Sequence, residues 1–381
     1  MRDPGFGIYV HWPFCTAKCP YCDFNSHVRT AIDETTWTDA IIRELEWVAA
    51  KQGDDRPVLS TVFFGGGTPS LMSGQAVGSV LETIAKNWRI TNDIEVTLEA
   101  NPASADAGRF RDYRVAGVNR LSLGVQALND ADLKMLGRLH NAADAKAALE
   151  TAMTEFSRVS CDLIYARPGQ TPDAWEAELE EALSFGTDHL SLYQLTIEPA
   201  TPFAILARTG ALVVPGDEDA ALLYEITQDL TEAAGRLPYE ISNHALPGEE
   251  SRHNLLYWRY GAYAGVGPGA HGRLDLDGKR FATATERLPE RWREKVARDG
   301  NGLVEMSEVT KPDAAREHLL MNLRLSEGLD LADYRARWDT APEASRIVAL
   351  EQAGFVRMDG TILTATAKGR LVLNALIAEL V

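Results

Sequence analysis

Between residues 6 and 196, short runs of apolar and β-branched residues alternate with longer stretches that carry helical periodicity or helix-forming composition. The short runs, at 6–11, 59–64, 94–98, 120–124, 159–165 and 189–196, read as strands. The stretches between them, at 35–50, 74–88, 106–116, 131–139 with 142–154, and 172–185, read as helices. Strict alternation of this kind predicts an α/β fold of parallel strands joined by right-handed crossovers. Six strands are too few for a closed eight-fold barrel.

The pattern then changes. Residues 205–235 are helical and sparse in chemistry, and the polar composition of 285–312 suggests a linker. From Asp313 a helix to about Leu325 ends before Gly328, helices are expected near 331–338 and 343–353, and a last one from Thr366. Residues 355–358 and 361–364 flank Asp359-Gly360, a two-residue hairpin signal. The expected division is a partial-barrel core over 1–204, a connecting segment over 205–304, and a small helical, winged-helix-like domain over 305–381.

Composition places the chain among soluble globular proteins, with 45% hydrophobic and 24% charged residues. A net charge of −17 and a pI near 5.0 argue against a nucleic-acid footprint, which needs clustered Lys and Arg. Residues 313–381 carry eight Lys or Arg against ten Asp or Glu, so DNA reading by a winged helix is disfavoured too. The chain enters its first apolar run by Phe6 with no charged-then-apolar leader, and no apolar run approaches the roughly 18 residues of a membrane span. A cytoplasmic protein is expected.

The chemistry gathers at the ends of the predicted strands, where ligands sit in barrels of this kind. After the first strand, Cys15, Cys19 and Cys22 place three of the four cysteines within eight residues. Three thiolates from one loop can hold three corners of an iron–sulfur cube and leave the fourth iron open. Zinc would need a fourth ligand, for which His27 is the nearest candidate, and a disulfide would leave one thiol over. Pro20 inside the loop fits a segment that wraps around something. The second strand leads into Gly65-Gly66-Gly67-Thr68-Pro69, either a turn or a backbone cradle open to a ligand. The third leads into Glu99, either a solvated acid or an acceptor for a ligand ammonium. Gln126 follows the fourth, with Arg138 beyond it. Asp162 lies inside the fifth, where an acid is costly unless paired or ligand-bound. Its neighbour Cys161 reads as a small packing residue.

The C-x3-C-x2-C spacing resembles the signature of the radical S-adenosylmethionine (SAM) superfamily, and the six strand units resemble its incomplete (β/α)6 barrel. The segments Tyr9-Val-His-Trp-Pro-Phe-Cys, Gly-Gly-Gly-Thr-Pro, Leu121-Ser-Leu-Gly-Val-Gln126 and Asp162-Leu-Ile-Tyr, with Pro168-Gly-Gln-Thr, resemble the oxygen-independent coproporphyrinogen III oxidase family and its relatives. That likeness implies a [4Fe-4S] cluster on the three cysteines. It also implies SAM held by Tyr9, Gly66, Glu99 and backbone near His271, with Tyr21, Gly67, Thr68, Gln126, Arg138 and Asp162 also contacting SAM, partly a second molecule of it. Ala166-Arg167 departs from the Gly-Leu common in relatives and is expected to bring a charge near the cofactor.

Two departures separate the chain from the oxidase. About five residues precede the first strand where the oxidase has a long extension, and Phe24 stands where it has a fourth cysteine. Both features resemble the HemW-type heme chaperones, as does His253-Asn254-Leu-Leu-Tyr257-Trp258, which matches their H-N-x-x-Y-W motif. That motif combines an imidazole able to bind iron with aromatic faces suited to a macrocycle. Without the family, a lone histidine beside aromatics is more often structural. The resemblance implies heme binding by His253, Asn254, Tyr257 and Trp258. It implies delivery to soluble or membrane-bound hemoproteins, cytochromes among them, from the cytoplasm or the membrane periphery, and a cluster that can support a homodimer. The alternative activity is porphyrinogen oxidation by radical chemistry; RNA modification is disfavoured by the acidic surface.

Overall fold

The computed structural model describes residues 4–104 and 106–381. Six parallel strands form its centre: β1 (Phe6–Trp12), β2 (Leu59–Gly66), β3 (Ile90–Ala100), β4 (Arg120–Gln126), β5 (Val159–Tyr165) and β6 (His189–Gln194), hydrogen-bonded in chain order. Crossover helices α1 (Glu34–Gln52), α2 (Gly74–Asn87), α3 (Ala107–Ala116), α4 (Ala142–Glu155) and α5 (Pro172–Ser184) join them. A side-chain cap starts each, from Asp33, Ser73, Asp106, Asn141 and Thr171, where an oxygen accepts an otherwise orphaned N–H. The helices pack Ile41, Leu45, Val77, Val80, Phe110, Leu149, Trp175 and Leu179 onto strands whose own Ile8, Val62, Leu98, Leu121, Leu163 and Leu190 are buried. The sheet does not close, because short pieces at Asn243–Ala245 and Leu237–Pro238 continue it beyond β6 antiparallel. The incomplete six-unit barrel expected from the strand pattern is the fold observed.

On the other side of β1 the chain returns as β7 (Ala262–Val266), parallel to β1, followed by an antiparallel meander of β8 (His271–Leu276), β9 (Lys279–Thr285) and β10 (Leu303–Glu308). The region expected to be a polar linker is therefore built. It contains the end of β9, helix α8 (Pro289–Asp299) and β10. Its regularity is hidden because α8 buries only Pro289, Trp292 and Val296, while β10 is an edge strand facing water. Glu44 of α1 ties this extension down by accepting from the backbone amides of Gly267 at 2.7 Å and Gly302 at 2.6 Å and from the indole of Trp292.

Helix α6 (Asp217–Ala233) packs against α5, with Thr227 accepting from the Trp175 indole at 2.9 Å. The C-terminal domain, beginning with α9 (Lys311–Asn322), has its own core of Leu319, Leu329, Tyr334, Val356, Leu363 and Leu376. The expected hairpin is present as Val356–Asp359 and Ile362–Ala365, turning at Gly360 with φ +60. Ion pairs Arg259–Glu327 at 2.7 Å and Arg273–Glu317 at 2.9 Å, with Tyr260 stacked on His318, dock it on the sheet extension.

Candidate functional site

The carboxyl ends of β1–β6 open into a cavity of about 440 Å³. Its lid is the cysteine loop. Cys15, Cys19 and Cys22 all face it, half-buried and unpaired by disulfides, with Tyr21 and the exposed Phe24 beside them. Among the described residues no three of His, Cys, Asp and Glu stand close enough to share one metal ion, which for zinc means sulfurs roughly 3.8 Å apart. His27 instead bonds Asn25 Oδ1 at 3.3 Å. The three thiols line one shared space, as a cluster held at three corners requires. Burial pushes the Cys15 and Cys22 thiols up, so a cationic centre must supply the field that holds them as thiolates.

The loop is pinned from two sides. The Gly67 and Thr68 amides donate to the carbonyls of Trp12 and Phe14 at 2.7 and 2.8 Å, and Thr68 Oγ1 donates to Cys15 Sγ at 3.3 Å. A Cβ at Gly67 would stand 2.7 Å from the Phe14 carbonyl, and one at Gly66, whose φ is +112, 2.7 Å from the His11 ring. The glycine run is thus required by close approach, which a simple turn would not need. From the opposite wall Arg138 donates to the Gly124 carbonyl at 2.9 Å and points Nη1 at Cys19 Sγ, 3.7 Å away, while its buried Nε has no partner among the described residues. Asn25 Nδ2 donates to the Pro268 carbonyl at 2.9 Å, so the turn between β7 and β8 meets the cysteine loop at the barrel mouth.

Deeper in, Glu99 and Asp162 face each other across the cavity. Burial and the Asp162 charge push Glu99 up to about 8, against the pull of the Gly66 amide and Arg120. Burial likewise raises Asp162, although Ser122 and Ser160 donate to it at 2.7 and 2.8 Å. Two acids so placed make a seat for a cation, since a ligand ammonium or sulfonium would draw both towards ionisation. Gln126 lines the same wall at a φ of +73.

Twelve of the sixteen residues singled out from the sequence line this one cavity: the three cysteines, Tyr21, Gly66, Gly67, Thr68, Glu99, Gln126, Arg138, Asp162 and Asn254. The other four do not. Tyr9 lies behind the wall, its hydroxyl bonded to His11 Nδ1 at 3.0 Å and its ring stacked on Phe63. His11 in turn holds the Asn25 carbonyl at 2.9 Å, so Tyr9 steadies the cysteine loop from below. His253 is 1% exposed on α7 (Arg252–Trp258), which packs against β1, β2 and β7. Both of its ring nitrogens are engaged, Nδ1 with Thr61 Oγ1 at 2.8 Å and Nε2 with the Tyr257 hydroxyl at 2.7 Å, and its ring stacks on Phe63. Glu95 caps the same helix by accepting from the Arg252 and His253 amides. Trp258 faces a separate outer cleft of about 470 Å³ shared with Arg324 and Arg370 of the C-terminal domain.

Arg167 corrects one expectation. Its guanidinium turns away from the cavity to pair with Asp132 at 2.8 Å and with Glu178, so it adds no charge beside a cofactor. Sequence reasoning missed Arg120, Ser122 and Ser191, which also line the cavity. The period-two spacing of Arg120, Ser122, Gly124 and Gln126 along one strand places all four on the same face and was the available signal.

Residues 9–182 match the Radical SAM superfamily and residues 309–372 the HemN C-terminal domain. Among solved structures, coproporphyrinogen III oxidase (HemN) from Escherichia coli superposes with a TM-score of 0.83 over 99% of this chain and 90% of its own, at 22% identity, a likeness of fold. The Heme chaperone HemW of E. coli (strain K12) is 35% identical over 99% of this chain and 98% of its own length. That of Mycobacterium tuberculosis (strain ATCC 25618 / H37Rv) is 36% identical over 100% and 96%. The mouse mitochondrial radical S-adenosyl methionine domain-containing protein 1 is 37% identical over 98% and 86%. With the cysteine loop, the cavity and the C-terminal domain all inside these full-length matches, the chain belongs to the HemW heme chaperone family of radical SAM proteins.

Proposed function

We propose that this protein is a heme chaperone that binds a [4Fe-4S] cluster, SAM and heme and passes heme to hemoproteins. The observation that carries the reading is the pairing of an intact cluster-type cysteine loop with full-length identity to proteins named as heme chaperones. When bound, the cluster supplies one iron free of protein ligands, to which the amino and carboxylate groups of SAM can attach. The chain's own residues do the rest. Arg138 and Thr68 stabilise the sulfurs, Glu99 and Asp162 accept the ligand cation, and the Gly66–Thr68 backbone closes one wall. Localisation in the cytoplasm or at the membrane periphery, with cytochromes among the recipients and a cluster-dependent homodimer, belongs to the same proposal. No helix among the described residues is long and apolar enough to cross a membrane, so contact with one would be peripheral.

The heme contact is assigned to the α7 motif. Asn254 faces the barrel cavity, Trp258 faces the outer cleft, and His253 lies between them. Its use as an iron ligand requires Tyr257 to release Nε2. Titration of purified protein with heme should give a saturable Soret change that His253→Ala weakens; a change that never saturates would remove the reading.

A second reading is a radical SAM oxidase acting on a porphyrinogen, favoured by the fold shared with HemN. Anaerobic turnover of coproporphyrinogen by cluster-loaded protein would establish it. We expect none.

A further inference from the structure

The outer cleft beside Trp258 carries two cations that no acid pairs. It opens where α7 and residues 240–242 face the C-terminal domain, and its volume of about 470 Å³ lies within the roughly 300–1,000 Å³ usual for a small-molecule site. Arg324 and Arg370 line it, and among the described residues neither forms an ion pair. Elsewhere on the same docking face the arginines are matched, Arg259 to Glu327 at 2.7 Å and Arg273 to Glu317 at 2.9 Å. Arg324 instead donates to the Leu320 carbonyl at 2.5 Å and to Asn374 Oδ1 at 3.1 Å. Arg370 donates to Ser326 Oγ at 2.8 Å, and its buried Nη1, near the Tyr224 hydroxyl, closes no hydrogen bond among the described residues. Each guanidinium is thus tied to the other's segment by neutral groups, in a protein whose net charge is −17. The acid among the lining residues, Glu240, is 2% exposed and engaged with the Ser242 amide at 3.0 Å and the Asn243 side chain. Burial disfavours the Arg324 charge, and Glu240 offsets only part of that cost. A guanidinium cannot shed its proton in a protein, so an incoming anion would stabilise both.

The remaining wall says what kind of anion fits. Leu371 and Val372 stay 40% and 44% exposed in the cleft, at the junction of the last two helices, Ala367–Leu371 and Leu373–Leu380. Trp258 supplies an aromatic surface, with the Arg324 guanidinium 5.8 Å from its ring centroid. A phosphate would leave this apolar wall uncovered, and a fatty acid brings one carboxylate to two arginines. A flat apolar body with two carboxylates on one edge uses all of it, and heme with its two propionates has that shape.

We propose that the outer cleft seats the carboxylate edge of a tetrapyrrole, with Arg324 and Arg370 each taking one propionate and Trp258, Leu371 and Val372 covering the ring. The proposal rests on reading the protein as a heme carrier and adds to it an anchor that grips the carboxylates instead of the iron. Both arginines belong to the C-terminal domain and Trp258 to α7, so the ligand is held between the two.

The test is titration of the full, cluster-loaded chain and its Arg324→Gln, Arg370→Gln and double variants with heme, heme dimethyl ester and metal-free protoporphyrin IX, read by Soret absorbance and porphyrin fluorescence. Wild-type protein should bind heme and protoporphyrin IX saturably, since the anchor does not need iron, and the ester about 10- to 100-fold more weakly. Each single variant should weaken heme and protoporphyrin IX about tenfold, the low end of the worth of a charge-assisted hydrogen bond, and the double variant more. Arg324→Lys and Arg370→Lys should recover part of the loss, and the ester should bind wild type and variants alike. Thermal melting reports folding of each variant, and the comparison of heme with its ester on wild type needs no variant at all. Absence of saturable heme binding removes the chaperone reading and this site with it. Saturable heme binding that the ester equals, or that the double variant retains in full, overturns this site and leaves the chaperone reading standing.

Discussion

Glu99 and His253 show how a residue's surroundings decide its chemistry. Glu99, pushed up to about 8, is mostly protonated in the free protein at neutral pH and must lose that proton to hold an ammonium. Affinity for a cationic ligand should therefore rise with pH by up to about tenfold per unit between roughly pH 6 and 8, then level off. Calorimetry at pH 7 in buffers of different ionisation enthalpy should show a released proton, and Glu99→Gln should abolish both effects; a pH-independent affinity would argue against the cation seat. Burial holds His253 neutral, lowered to about 3. His253→Ala would leave Thr61 and Tyr257 unpartnered around a void, at a cost of about 2–4 kcal/mol read from denaturant melts. Tyr257→Phe separates the two roles, since it frees Nε2. If His253 contacts heme iron, that variant should bind heme more tightly while losing about 1–3 kcal/mol of stability, and weaker heme binding would make His253 purely structural. The H-N-x-x-Y-W spelling was visible in the sequence, but a pattern of letters cannot show that both imidazole nitrogens are already used. Arg120 escaped notice for a related reason, because a charged residue that opens a strand reads as solvent-facing.

Among the elements, the six strand-and-helix units were legible because apolar period and caps agree at each. The structure lengthens β2 to Gly66 and β4 to Gln126 beyond their apolar runs, so that the glycine and glutamine of the mouth are strand ends. The stretch read as a linker was not legible, since α8 is anchored by little more than Trp292 and a carboxylate from another element. That carboxylate, Glu44, is pushed up to about 7 by burial despite three N–H donors. In the folded chain it binds a proton that the unfolded chain has already released between pH 4.5 and 7. Its contribution is thus present in full below pH 4.5 and declines as pH rises through 7, by roughly 3 kcal/mol in total. Melts across that range should show the decline, and Glu44→Gln should flatten it. Gly67→Ala tests the other junction. A methyl 2.7 Å from the Phe14 carbonyl must displace the cysteine loop, so iron content after anaerobic reconstitution should fall several-fold with little change in secondary structure. Full iron loading would show that the loop tolerates the shift.

For the whole molecule, fold and cluster chemistry point to a radical enzyme scaffold, and the full-length family assignment points to heme handling. Phe24 lies 60% exposed at the rim of the cavity, and α7 reaches the same cavity through Asn254. Helix α7 also sits between the barrel cavity and the outer cleft, through Asn254 on one side and Trp258 on the other. The most direct measurement is transfer. Cluster-reconstituted protein loaded with one equivalent of heme is mixed anaerobically with an apo-hemoprotein, and the Soret spectrum of the acceptor is followed while the same preparation is assayed with coproporphyrinogen and SAM. The acceptor should gain heme faster than it does from a non-cognate carrier such as albumin, with no decarboxylated product. No transfer beyond that carrier, together with turnover of the porphyrinogen, would contradict it.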